Sequence, residues 1–319
     1  MLRSRATAVV MRFALLIVGL LAMPARADKR DDEPVMLRLG TLAIEGSRYM
    51  TDIAAFSAEV EKRARITITW SSSGQLGDEA AMVEQIERGK LDGAGFSETG
   101  LIAAVPEMAV WRYPGMFRDA SEVDRATVAQ RERVRERFAK RGLVFAMWAD
   151  LGFANVFASE RAATLNEMLR RASPWITRPL DATLFEPVAN GTARAWAMPP
   201  LYVLAIGKVH AKEMSRLPYR YVVGGLVMSR AAWARLDARQ QAAFREVCRI
   251  WEPKLRTRWR AESERGVAAL EKLGVRVHAV SARELAGFFD AAGKSSAEHA
   301  KKAGLGDAFR ELAAAREKR

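Results

Sequence analysis

The sequence predicts an α/β protein with enough chain for two packed lobes. Three observations lead there. Predicted strands and helices alternate as β-α-β-α-β through the first part of the chain, the pattern of a largely parallel sheet wrapped by helices. Half of the 319 residues are apolar, which supplies sizeable cores. One helical stretch, residues 237–273, would be about 55 Å long at 1.5 Å per residue, longer than a single small lobe.

The chain opens on an export signal. Arg3, Arg5 and Arg12 precede an apolar run at 13–23, and no acidic residue occurs before Asp28. Pro24 and the triplet Ala25-Arg26-Ala27 then match a signal-peptidase site, so cleavage is expected after Ala27. The run is shorter than the ~20 residues a membrane-spanning helix needs, and the expected location is the periplasm. Removing 27 of 319 residues leaves 292, and removing four arginines lowers the net charge from +13 to +9. Export argues against nucleic acid as the partner for that charge, and no nucleic-acid-binding motif is present.

The elements follow in order. Residues 35–42 alternate as a strand and end at the turn Glu45-Gly46-Ser47; residues 47–63 have helical spacing. The β-branched run 66–70 predicts a second strand, followed by the turn-rich loop 71–77 and a helix capped by Asp78. A short strand is expected at 93–96 and a long charged helix from Ser121 to Gly142. Two separate strands, 143–148 and 153–158, come next. Residues 160–200 hold four prolines and little periodicity. A strand at 222–228, a helix capped by Ser229, and the Asp237…Gln240 capping box lead into the long helix, which Pro253 is expected to kink. A strand at 275–280 and a terminal helix capped by Ser281 complete the chain.

The inventory of reactive chemistry is nearly empty. Cys248, the single cysteine, sits in a helical pattern beside Val247 and Ile250 and reads as a small buried residue. His210, His278 and His299 form no metal-ligand spacing, and no nucleophile elbow, phosphate loop or dinucleotide fingerprint is present. The expectation is no enzyme, no metal and no cofactor.

Four stretches carry a resemblance: Leu39-Gly40-Thr41 through Ser47; Gly74-Gln75-Leu76-Gly77-Asp78-Glu79 with Met82-Val83-Glu84-Gln85-Ile86 and Gly89-Lys90-Leu91-Asp92-Gly93; Tyr113-Pro114-Gly115-Met116-Phe117; and Val222 through Ser229, leading to Trp233 and Leu236. Together they make residues 35–290 resemble the solute-binding proteins of tripartite ATP-independent periplasmic (TRAP) transporters, of the dicarboxylate-binding type. The resemblance implies a periplasmic-binding-protein-like fold of two lobes joined by crossing strands, with the long helix spanning both. It divides the chain into lobe I, 28–149 plus 221–252, and lobe II, 150–220 plus 253–319. It also implies a receptor that delivers a small organic acid to TRAP permease membrane subunits. The alternative is a periplasmic sensory or scaffold protein of the same fold that has lost transport-linked binding.

The chain departs from the family pattern at the ligand clamp. Members carry a Gly-x-Lys-x-Arg strand whose arginine grips a carboxylate; the corresponding stretch here is 172–178, with Arg178 the nearest candidate. A helix and a strand that should follow are missing, and lobe II is about twenty residues short. Arg178 either supplies the guanidinium fork or is a solvated arginine beside Pro179. Ser47, Gln75, Ser97 and Thr99 lie on loops after predicted strands, where α/β clefts collect ligand groups, with capping or turn roles as the alternative. Tyr202 and Trp196 either wall the cleft or belong to the core. Glu98, awkward in an anion cleft, would select a ligand with a cationic group.

Overall fold

The computed structural model describes residues 34–162, 164–172, 176, 178 and 180–317; the export signal expected over residues 1–27 lies outside the described residues. Its strands are β1 (Val35–Thr41), β2 (Ile66–Ser71), β3 (Gly93–Phe96), β4 (Leu143–Ala158), β5 (Ala195–Met198), β6 (Glu213–Ser229) and β7 (Arg276–His278). The helices are α1 (Arg48–Ala64), α2 (Glu79–Glu87), α3 (Glu98–Ala104), α4 (Ala120–Ala129), α5 (Arg131–Lys140), α6 (Leu165–Ala172), α7 (Ala182–Ala189), α8 (Pro200–Tyr202), α9 (Arg230–Ala234), α10 (Ala238–Lys272), α11 (Ala282–Lys302) and α12 (Gly306–Glu317).

The seven strands form a sheet of order β2-β1-β3-β6-β4-β5, with β7 also on β6. Two long antiparallel strands, β4 and β6, organise it. Residues 225–228 of β6 pair with β3, which continues the sheet in parallel to β1 and β2. The opposite end of β6, residues 213–215, pairs with β7, while residues 155–158 of β4 pair with β5. One pair of strands thus crosses from one half of the molecule to the other, as the resemblance implies.

The sequence divides β4 into two strands, 143–148 and 153–158, either side of Asp150 and Gly152. In the structure they lie at a register shift between Asp150 and Gly152, where Gly152 takes φ +88°, and pairing resumes on both sides. Likewise β6 begins nine residues before the predicted 222, and Pro218 falls between the paired residues Ser215 and Arg220, so no ladder hydrogen bond is lost to it. The helix predicted over 121–141 is two, α4 and α5, separated at Gln130, whose side chain donates to the Glu311 carbonyl of α12. Helix α10 runs through Pro253 without interruption.

Local caps hold where the sequence puts them. Asp78 accepts from Ala81 N at 2.8 Å, and Asp237/Gln240 and Ser281/Glu284 each close both arms of a capping box. The long helix lies against α1 through Phe56, which meets Phe244 and Trp251 edge to face. It is tied to β4 by Arg260, which bridges Asp150 at 2.7 Å and Asp124 at 2.8 Å, and by Glu252, which accepts from Trp148 N. Cys248 is buried as expected, and burial pushes its thiol well up.

The crossing strands approach β3 closely at Gly224, where a Cβ would lie 2.3 Å from the Phe96 carbonyl oxygen. Gly224→Ala therefore forces backbone to move, and is expected to lower stability by about 1–3 kcal/mol, read as a lower urea midpoint.

Candidate functional site

Because β1, β2 and β3 are parallel, their carboxyl ends emerge on one side, where open α/β sheets collect ligands. There the loop 41–47 and the start of α3 face α7, Leu201, Tyr202 and Ala205 across a cleft of about 180 Å³, with Ala149 and Leu151 of β4 beneath and Trp259 of α10 at one side. Most of its wall is apolar: Leu42, Ile44, Phe96, Leu151, Leu180 and Phe185.

The polar groups are few. Ser47 caps α1 by accepting from Met50 N at 3.3 Å, which leaves its own O–H free to donate. Tyr49 stands next to it with its ring edge-on to Trp259, centroids 4.8 Å apart, and its buried hydroxyl has no hydrogen-bond partner among the described residues. Arg48 lies at the rim, 57% exposed, 3.8 Å from Asp52 and 3.9 Å from Glu262. Tyr202 stacks on Phe185 at 5.9 Å, and burial followed by the charge of Glu79 raises its hydroxyl pKa above the ordinary range.

Glu79 is the group the sequence hides. It opens α2, is 1% exposed, and accepts from Ser97 N and Ser97 Oγ at 2.6 Å and from Gly100 N at 2.7 Å. The protein's own carboxylate thus occupies the N-terminus of α3, where an external anion would otherwise find donors. Burial pushes its carboxyl up to about 7, against the hydrogen bonds from Ser97 and Gly100, which lower it.

Of the six residues proposed from sequence, Ser47, Ser97 and Tyr202 line this cleft. Gln75 is exposed in the loop 72–78, its backbone N–H bonded to the Ser72 carbonyl. Thr99 sits in the first turn of α3, outside the cleft wall, with its hydroxyl buried and unpartnered. Arg178 is exposed and is not part of the cleft wall; no strand runs through the described residues of 172–178. Trp196 is fully buried, stacked on Phe157 at 6.0 Å, in the core. Glu98 is paired with Arg220 of β6 and is not among the residues that line the cleft. Sequence reasoning missed Tyr49, Glu79 and Trp259. Among the described residues no cluster of three or more His, Cys, Asp or Glu is arranged to hold a metal, and no helix is long and apolar enough to cross a membrane.

A model of the bacterial extracellular solute-binding protein family 7 matches residues 39–168 and 210–303. The chain belongs to that family. The family is one of solute receptors rather than enzymes. The match passes over residues 169–209, the stretch in which the expected clamp strand and the shortened lobe fall. A solute-binding protein of Verminephrobacter eiseniae (strain EF01-2) is 26% identical over 266 residues, 76% of this chain and 78% of the relative. Among solved structures, a sugar-acid-binding protein of Advenella mimigardefordensis strain DPN7T in complex with galactonate superposes with a TM-score of 0.78 at 15% identity, covering 89% of this chain and 98% of that one. A TRAP periplasmic solute-binding protein of Polaromonas sp. JS666 bound to D-erythronate has a TM-score of 0.74 at 21% identity, with the same coverages. At these identities the structural likeness establishes the two-lobe α/β fold.

Proposed function

We propose that this family-7 protein is the periplasmic receptor of a TRAP-type transporter, holding a small organic acid with an apolar body in the cleft and delivering it to the permease membrane subunits. The observation that carries the reading is the Tyr49 hydroxyl, a buried donor without a partner on the wall of an otherwise apolar cleft. A carboxylate oxygen supplies the acceptor it lacks. The free proton of Ser47 and the loosely paired Arg48 lie beside Tyr49 in sequence and on the same wall. Burying the hydroxyls of a polyhydroxylated acid against Leu42, Ile44, Phe96 and Leu151 would leave them unbonded, which is costly, so the cleft favours a hydrocarbon or aromatic body.

In this reading the lobes divide as 28–149 plus 221–252 and 150–220 plus 253–319, the signal is removed after Ala27, and the protein catalyses no reaction. Ser97 serves by positioning Glu79, and Tyr202 by walling the cleft. A sensory or scaffold role is favoured by two features: among the described residues no buried cation lines the cleft, and Glu79 fills the end of α3.

Thermal shift against aliphatic, aromatic, hydroxy and amino acids separates the two, because a ligand that binds only the folded state must raise its stability. The receptor reading expects a rise in Tm with aliphatic or aromatic acids, and about a three- to tenfold loss of affinity in Tyr49→Phe. No shift with any acid of the panel would leave the sensory or scaffold role standing.

A further inference from the structure

A second cavity, of about 560 Å³, shares no wall residue with the cleft. Arg220 of β6 and Arg112, in the short 3-10 turn Pro106–Arg112, both face it. Arg220 is 2% exposed. Its Nη1 donates to Glu98 Oε1, whereas its Nε and Nη2 have no hydrogen-bond partner among the described residues. Those two nitrogens form one edge of the planar guanidinium, whose parallel N–H bonds match the two oxygens of a carboxylate. A buried donor left unmade is destabilising, and here two are left on one edge of one side chain.

The surroundings fit an anion with an apolar body. Burial lowers the Arg220 guanidinium to about 10, so it remains charged at neutral pH. Burial also lowers Arg112, which makes no hydrogen bond or salt bridge with another described residue; the field of Asp181 reaches it. Glu98 balances one of the two cations, and its second oxygen also lacks a partner. The remaining wall includes Tyr113, Tyr219 and Phe288, with the Tyr219 and Phe288 rings 5.7 Å apart.

We infer that this cavity is a second organic-anion site, in which a monocarboxylate lies on the Nε–Nη2 edge of Arg220 and its apolar or aromatic body rests among Tyr113, Tyr219 and Phe288, with Arg112 adding charge. The inference goes beyond the cleft reading and does not depend on it. In the family resemblance the carboxylate is held by an arginine of the stretch around 178; Arg220 lies on a different strand and is buried from solvent.

The test is titration calorimetry of the exported chain with benzoate, using benzamide as the uncharged isostere. Benzoate binds saturably and benzamide at least tenfold more weakly. Arg112→Met, which abandons no partner and is expected to fold normally, weakens benzoate several-fold. Arg220→Met combined with Glu98→Gln, which removes the buried pair together, abolishes the part of benzoate binding that Arg112→Met weakens. Glu98→Gln alone strengthens it, because the competing carboxylate charge is gone. Tyr49→Phe weakens only whatever part of the isotherm belongs to the cleft, and leaves the part that Arg112→Met weakens in place. Should the double variant fail to fold, Arg112→Met and Glu98→Gln still decide. Two results overturn the inference. If benzoate fails to bind, or binds no better than benzamide, the cavity holds water only. If Tyr49→Phe weakens benzoate while Arg112→Met does not, the acid sits in the cleft, which supports the receptor reading and removes the second site.

Discussion

Replacing Trp259 with alanine is expected to lower the free energy of unfolding by about 3–5 kcal/mol, the range for deleting a buried aromatic side chain. The indole is 5% exposed, meets the Tyr49 ring edge-on at 4.8 Å, and donates Nε1–H to Asp52 Oδ2 at 3.1 Å. Asp52 is itself buried at 2% exposure. It keeps Arg258 at 2.8 Å when the indole is lost, so the carboxylate is not stranded, and the cost is mainly packing. Trp259→Phe keeps one six-membered ring but loses the fused five-membered ring with its N–H, and should cost about 1–2 kcal/mol by comparison. Urea unfolding measures both as shifts of midpoint at constant slope. Acid binding in the cleft should weaken in the alanine variant, because Tyr49 loses the wall that fixes its ring. A loss below about 1 kcal/mol would show that Trp259 is not part of the packed core.

The same residues show which parts of the molecule were legible in the sequence. Caps were, since Asp78, Asp237 and Ser281 each act on backbone three residues away. The long helix and the parallel opening strands were legible from period alone. The crossing strands were not, because Gly152 and Pro218 have the local signature of breaks while long-range pairing carries the ladder past them. Site residues divided along the same line. Ser47 and Ser97 follow strands and cap helices, so topology delivers them to the cleft. Gln75 obeyed the same rule and stayed exposed, since its loop folds back on Ser72. Glu79 looked like an ordinary acid in a first helical turn; what gives it meaning is Ser97 and Gly100, 18 and 21 residues away. Arg220 did leave a trace, a lone cation between Tyr219 and Tyr221 in a run of strand-forming residues, yet only burial shows that one edge of it is unsatisfied.

The Glu79 carboxyl makes the second large effect a function of pH. Burial raises it from 4.5 to about 7, so the folded chain holds its proton more tightly than the unfolded chain does. Below about pH 4.5 the group is protonated in both states and contributes no penalty. As pH rises from 4.5 to 7 the unfolded chain gives up the proton first, and stability falls; above 7 both states are ionised and the loss is complete, about 3 kcal/mol. Glu79→Gln does not titrate, although one amide oxygen cannot satisfy the three donors on Ser97 and Gly100, so its absolute stability is not the readout. The readout is the difference in unfolding free energy between wild type and variant, measured from pH 4 to pH 8. It should slope between 4.5 and 7 in favour of the variant at higher pH, and be flat outside that window. A difference flat across the whole range would mean that the donors at the start of α3 offset burial and leave the folded carboxyl with the affinity for its proton that it has in the unfolded chain. The two outcomes also differ in what they imply for the cleft: a neutral Glu79 places no negative charge opposite a ligand carboxylate, so the affinity of the cleft for an acid should decline as pH rises through 7, and should lose that decline in Glu79→Gln.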